Sequence, residues 1–279
     1  MNKIVLITGA TSGFGEACAR KFAAGGYDLI ITGRRKDRLE ALQQELERPA
    51  AGSTPTSSAS RADSAHPAGS ASPARPAVKV LPLVFDVQDK AAVFNTIASL
   101  PPAWQKIDIL VNNAGLALGR DLFNDANLDD WETMLDTNVK GLLYVSKAVM
   151  PLLIAQGKGH IINMGSVAAK EIYERGNVYC ASKSAVDAIS KAMRIDLLKH
   201  RIKVTAIHPG AAETEFSKVR FKGDETQAQK IYEGYTPLSA EDVADTIYYC
   251  ASLPDHVCIN DLVITCTAQA DAIYFYKNA

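Results

Sequence analysis

The chain has 279 residues, of which 47% are hydrophobic and 22% charged, with 30 basic against 31 acidic side chains. That length suits one large domain or two small ones with a real core, and the apolar share is too high for a wholly disordered chain. A formal charge of -1 removes the electrostatic motive for non-specific nucleic-acid or anionic-membrane binding.

The first residues, MNKIVLITGATSG, run at once into a strand-like stretch and a glycine turn, without the apolar region and cleavage site of a secretory signal. Taken in order, KIVLITG reads as a buried strand and EACARKFAAGG as part of a helix. DLIITG is a second strand, and KDRLEALQQELE a helix with Leu39, Leu42 and Leu46 on one face. After residue 77, VKVLPLVFDV is a third strand and DKAAVFNTIASL a third helix. IDILVNNAG is the fourth strand, and a long helix is expected from Asp129 to Ala155. GHIINMGS is the fifth strand, NVYCASKSAVDAISKAMRIDLLKH a helix and IKVTAIHPG the sixth strand. A polar stretch from Ala211 to Tyr235 leads to the helix AEDVADTIYYCASLP and a last strand, LVITCTA. This alternation predicts an α/β Rossmann fold: a doubly wound parallel sheet with helices on both faces, in one domain spanning 1–279.

Residues 48–77 break the pattern. They hold nine Ala, seven Ser and five of the twelve prolines, and nothing aliphatic larger than alanine. Such a segment cannot repay the entropy of ordering, so a disordered insert is expected. Without it, 249 residues remain, with 27 basic and 30 acidic side chains. Cys18, Cys180, Cys250, Cys258 and Cys266 show no paired spacing. That argues against a disulfide framework or zinc site, leads us to expect no metal, and fits a reducing, cytoplasmic compartment. No run approaches eighteen apolar residues, so no membrane-spanning helix is expected.

The chemistry-bearing residues cluster at strand ends. Gly9, Thr11, Ser12, Gly13, Phe14 and Gly15 form a turn between the first strand and first helix. Glycines there let the main chain approach a pyrophosphate at a helix N-terminus, where free N–H groups favour anions. The second strand ends in Gly33, Arg34, Arg35 and Lys36. NAD would call for an acidic residue at that point, whereas three cations suit the 2′-phosphate of NADP. The plainer interpretation is a solvated basic cluster, although cations at a helix start oppose its dipole. Asp86 and Val87 end the third strand beside an adenine position. Asn112, Ala114 and Gly115 end the fourth with small groups facing the cofactor, or, for Asn112, bracing the strand ends. Tyr179 and Lys183 are one helical turn apart, and Ser166 ends the strand before them. Hydride transfer to a carbonyl needs a proton donor; tyrosine serves if a nearby cation lowers its pKa, and serine can hold the carbonyl oxygen.

The ordered set TGATSGFG, NNAG, Asn138 in DTNVKG, Ser166, YCASK and the HPG turn resembles the short-chain dehydrogenase/reductase family over nearly the whole chain. The resemblance implies a catalytic set of Asn138, Ser166, Tyr179 and Lys183, with Asn138 holding a water in the proton relay. It also implies that Lys183 binds the nicotinamide ribose, that Pro209 and Gly210 support the carboxamide, and that the enzyme is a homotetramer. NNAGLALG, GNVYCASK, TEFSKVRFKGD and INDLVITCTAQA resemble its NADP-dependent 3-hydroxy acid dehydrogenase group, which acts on serine, allo-threonine and similar small acids. A carboxylate substrate needs a cation near the cofactor, for which Arg175 and Arg220 are candidates. Departures from that group include Ala168–Glu171, Glu174–Arg175, Cys180, Ala212 and Cys266. The alternatives are a reductase of neutral ketones or aldehydes and a non-catalytic NADP-binding sensor.

Overall fold

The structure, a computed structural model, describes residues 2–48 and 77–277. Nearly all of the expected insert at 48–77 therefore lies outside the described residues. Seven parallel strands form one sheet in the order β3-β2-β1-β4-β5-β6-β7. They are β1 (Ile4–Ile7), β2 (Asp28–Gly33), β3 (Val80–Val84), β4 (Ile107–Asn112), β5 (Gly159–Met164), β6 (Ile202–Pro209) and β7 (Asp261–Ile264). The order reverses between β1 and β4, and that switch point opens a crevice at the carboxyl ends of the strands.

Alternation along each strand sends successive side chains to opposite faces. Val5, Ile7, Leu29 and Ile31 pack beneath α1 (Gly13–Ala24), α2 (Lys36–Glu47) and α9 (Ala240–Ser252), against Phe22, Leu39, Leu42 and Ile247. Ile4, Leu6, Ile30 and Leu110 face the other way. They meet Val93 of α3 (Lys90–Ala98), Val149 of α5 (Leu142–Gln156) and Val186 of α6 (Asn177–Asp196). These strands are buried on both faces, which explains their nearly continuous apolar runs.

Two local features depart from expectation. The helix expected at 129–155 is α4 (Leu128–Leu135), then a π-helical turn at Asp136–Gly141 that carries Asn138, then α5. The 29 residues Leu128–Gln156 are long and apolar enough, by length and composition alone, to cross a membrane. Yet α5 packs on β4 and β5, and Val145, Val149 and Leu153 are buried in the core, so one face of this segment belongs to the core. The stretch 211–235 contains two short helices, α7 (Glu215–Arg220) and α8 (Glu225–Lys230). Thr214 and Asp224 start them by accepting from Phe216 N at 3.2 Å and Gln227 N at 3.0 Å.

Candidate active site

Two cavities lie over the carboxyl edge of the sheet and meet at Tyr179, which lines both together with Phe14, Gly165, Thr214 and Phe216. The first, of about 310 Å³, follows the switch point. Its floor is main chain. Gly9 and Gly13 adopt φ +67° and +52°, which L side chains rarely tolerate. Gly15 does not line the cavity: a Cβ there would lie 2.3 Å from Gly9 O, so its small size serves the packing of α1 against the turn. Ser12 precedes α1 without capping it, leaving the first-turn N–H groups for an anion.

The cations beside this turn are unequal. Arg34, Lys36 and Arg38 are exposed and Arg35 is half-buried; among the described residues the Arg34 side chain reaches Asp86 Oδ2, at 3.5 Å. Arg35 donates to Thr11 Oγ1 (3.0 Å), Thr11 O (3.1 Å) and Ser12 Oγ (2.9 Å). Both Arg35 and Arg38 pair with Glu215 of α7, at 3.1 and 2.7 Å. Arg38 and Glu215 were not among the expected site residues. The helix register of GRRKDR placed Arg38 one turn after Arg34, but its partner is 177 residues away.

Asp86 and Val87 line this cavity, and Val87 also packs against Gly141, where a Cβ would lie 2.7 Å from it. Ala114 and Gly115 line it as well. Asn112 does not. Its Nδ2 donates to Ser146 Oγ (2.8 Å) and Asn163 Oδ1 (2.9 Å), bracing β4 against α5 and β5. Asn113 takes the place at the cavity, holding the turn through Thr8 O (2.9 Å) and Gly9 O (3.1 Å). Strand alternation separates the two neighbouring asparagines. Glycines, uncapped amides and nearby guanidiniums together fit the phosphates of a dinucleotide.

The second cavity, of about 840 Å³, is lined by Ser166, Pro209 and Gly210, by α7 and α8, and by the C-terminal segment from Gln269. Pro209 and Gly210 therefore face this cavity rather than the first. Tyr179 and Lys183 are both buried on one face of α6. The Ser166 hydroxyl is near enough to Tyr179 to lower the pKa of the phenol, and Ser166 Oγ accepts from Ala168 N at 3.1 Å. Lys183 Nζ donates to Met164 O at 2.9 Å. Asn138 clamps Leu116, accepting from its N and donating to its O at 2.8 Å each, and donates to Ser182 Oγ at 3.0 Å. Its Oδ1 and Lys183 Nζ approach one point beside Gly115: a Cβ there would be 3.1 and 3.4 Å from them.

Electrostatics differ from expectation. Burial pushes the Tyr179 phenol above its ordinary range; the leading influences that lower it are the Ser166 hydrogen bond and then the Arg220 charge. Lys183, expected to do this, turns to Met164 O, and burial lowers its own pKa to about 8. The Arg220 guanidinium lies 5.3 Å from the Tyr179 ring centre and 5.7 Å from that of Tyr173, and donates to Tyr173 Oη at 3.1 Å. Among the described residues its Nε and Nη2 are buried without a hydrogen-bond partner, an expensive arrangement unless an anion completes it. Arg175 lines the same cavity at φ +63°, exposed. Arg120, which the sequence did not single out, lines it too; burial and then Arg220 lower its pKa.

A parallel sheet with this switch point, a glycine-floored cleft and a buried Ser–Tyr–Lys cluster defines a Rossmann-type oxidoreductase of the short-chain kind. Comparison with known proteins agrees: residues 3–65 and 51–225 match the short chain dehydrogenase family, and the chain belongs to it. It is 43% identical to the NADP-dependent 3-hydroxy acid dehydrogenase YdfG of Salmonella typhi, over 96% of this chain and 97% of that one. It is 45% identical to sulfoacetaldehyde reductase 2 of Chromohalobacter salexigens, covering 97% and 96%. Among solved structures, a closed form of serine dehydrogenase complexed with NADP+ matches at TM-score 0.83 and 42% identity, over 99% of this chain and all of that one.

Proposed function

We propose that this chain is an NADP(H)-dependent oxidoreductase that interconverts the β-hydroxyl and carbonyl of a small 3-hydroxy acid. The observation that carries the reading is the Arg220 guanidinium, with two buried unpartnered nitrogens, over the ring of the Tyr179 that joins the two cavities. It supplies a carboxylate anchor next to a proton donor. The relatives named for 3-hydroxy acid and serine dehydrogenation support the same substrate class.

When bound, the nicotinamide supplies or accepts the hydride at the substrate carbon. In reduction, Tyr179, kept protonated by burial, gives its proton to the oxygen as the hydride reaches the carbon. The Ser166 hydroxyl steadies that oxygen as charge develops on it. Lys183, with a pKa of about 8, exchanges protons near neutral pH. It replenishes Tyr179 through a water placed between Nζ and Asn138 Oδ1 beside Gly115. Oxidation runs the same relay backwards, and Arg220 then favours the phenolate. Arg34 and Arg35 are the proposed contacts of the 2′-phosphate, with Arg38 beside them.

Three guanidiniums, of Arg120, Arg175 and Arg220, line the substrate cavity, and this favours a second reading in which the anion is a sulfonate on a small aldehyde. A side-by-side assay of NADP+ reduction with serine, allo-threonine, 3-hydroxypropionate and 3-hydroxyisobutyrate, and of NADPH oxidation with sulfoacetaldehyde and a neutral aldehyde, separates these readings. Preference for a neutral aldehyde, or for NAD over NADP, overturns the first. No turnover at all favours a non-catalytic NADP-binding sensor.

The whole chain is proposed as one catalytic domain carrying an Ala/Ser/Pro-rich insert. Leu128, Leu135 and Leu143 on α4 and α5, and Ile195 on α6, are exposed and support self-association through these helices, as a homotetramer; light scattering tests it. All five cysteines are free thiols, in keeping with a cytoplasmic location.

A further inference from the structure

Behind the catalytic serine lies a polar cluster that the chemistry above does not use. His208, fully buried near the end of β6, rests its ring on the Gly165–Ser166 backbone: a Cβ on Gly165 would lie 2.3 Å from Nδ1. Nδ1 is 3.3 Å from Ser166 N and 3.1 Å from Ser166 O. On the other side, Nε2 stands 3.6 Å from both Asp187 Oδ1 of α6 and Asp261 Oδ1 of β7, beyond hydrogen-bond reach. Lys170 bridges the two carboxylates at 3.2 and 2.5 Å, and Lys191 adds a contact to Asp187 at 2.8 Å.

This surrounding selects a tautomer. A lone pair on Nε2 would face two carboxylates, so Nε2 carries the hydrogen and Nδ1 is left to accept from Ser166 N–H. We propose that His208 is a positioning residue: its neutral ring, oriented by Asp187 and Asp261, holds the Ser166 main chain so that the hydroxyl meets the substrate oxygen and Tyr179. Protonation puts a second N–H on Nδ1. It then opposes Ser166 N–H and donates to Ser166 O instead, so the hold passes from the serine amide to its carbonyl and the main chain that carries the hydroxyl shifts. Burial, and then the Lys170 charge, push the imidazole pKa down, while Asp261, the Ser166 backbone and Asp187 oppose them. The neutral form therefore persists at neutral pH, and the hold on the serine amide is lost on the acid side.

The inference rests on Ser166 acting in catalysis, so the test includes Ser166→Ala. In the full-length enzyme, His208→Leu should lower kcat about 10- to 100-fold, as misplacement of a reacting group does, while NADPH affinity by fluorescence titration stays unchanged. His208→Asn, whose Oδ1 replaces the Nδ1 acceptor and cannot titrate, should recover most of that loss. It should also flatten the acid limb of the kcat/KM profile seen in the parent. Wild-type kcat in His208→Leu, no recovery in His208→Asn, or an unchanged acid limb would each overturn the proposal. If His208→Leu does not fold, the acid limb of His208→Asn decides alone. Should Ser166→Ala retain full kcat, the catalytic reading fails and this inference with it. A damaged Ser166→Ala beside unaffected His208 variants defeats the inference only.

Discussion

The two cavities that meet at Tyr179 are built on opposite principles. The first is main chain and strand end: Gly9 and Gly13 hold left-handed turns, and the cations Arg35 and Arg38 are already engaged by Glu215. The second is assembled from short helices, loops and the C-terminal segment, and its central cation, Arg220, has two buried nitrogens without a partner among the described residues. A partly exposed pair such as Arg35–Glu215 contributes little and can exchange one anion for another. A buried guanidinium without an anion is destabilised and gains most when one arrives. The difference is one of tight, sequence-local geometry in the first cavity against a cation assembled from distant elements in the second, and it supports the proposed division into a cofactor side and a substrate side.

The largest test acts where the cavities join. Tyr179→Phe should lower kcat by about 10³-fold, the usual worth of a placed general acid, with NADPH binding by fluorescence unchanged; near-normal turnover would remove the proton donor from the scheme. Next, Arg220→Met should raise KM for a 3-hydroxy acid by about 100-fold, from loss of a charge-assisted bond of about 1.5–3 kcal/mol. A neutral aldehyde should be affected far less, and an equal effect on both would mean that Arg220 shapes the cavity without reading the anion.

A third test concerns the fold. Lys183 has a folded pKa of about 8, below the roughly 10.4 of an unfolded lysine. Between those values the unfolded chain binds more protons, so this residue's contribution to stability rises with pH across that window and is a constant penalty below it. Melting temperatures of Lys183→Met should therefore gain on the parent as pH falls from about 10.4 to 8; parallel curves would show that the ammonium is not desolvated. The smallest effect belongs to the cofactor side. Glu215→Gln frees Arg35 and Arg38 for a phosphate and should tighten NADPH binding by about 3-fold, in keeping with pairs worth under about 1 kcal/mol. Weaker binding would make Glu215 a strut that places the arginines.

Much of this was legible before the fold. The apolar runs of β1, β2, β4 and β5 and the periodicity of α2, whose Leu39, Leu42 and Leu46 are all buried, are local signals. The glycine turn and the Tyr179–Lys183 spacing are local too. The helices α7 and α8 were not readable: each has six residues, too few for a periodic pattern to show. The π-helical turn at Asn138 left no pattern either. Asn112 and Asn113 have the same chemistry, and only the pleat decided which one reached the cavity.

By itself the sequence determined the parallel sheet, the glycine turn and the Ser166–Tyr179–Lys183 set, because hydrophobic period, backbone freedom and one helical turn operate within a few residues. Tertiary structure alone decided which charges stay unpaired. Glu215 reaches across 180 positions to Arg35, His208 is set between Asp187 and Asp261, and Arg220 is stacked on Tyr179 with two buried nitrogens unpartnered among the described residues. Charge pairing and desolvation depend on separation in space and on exclusion of water, and neither is written in the spacing of residues along the chain.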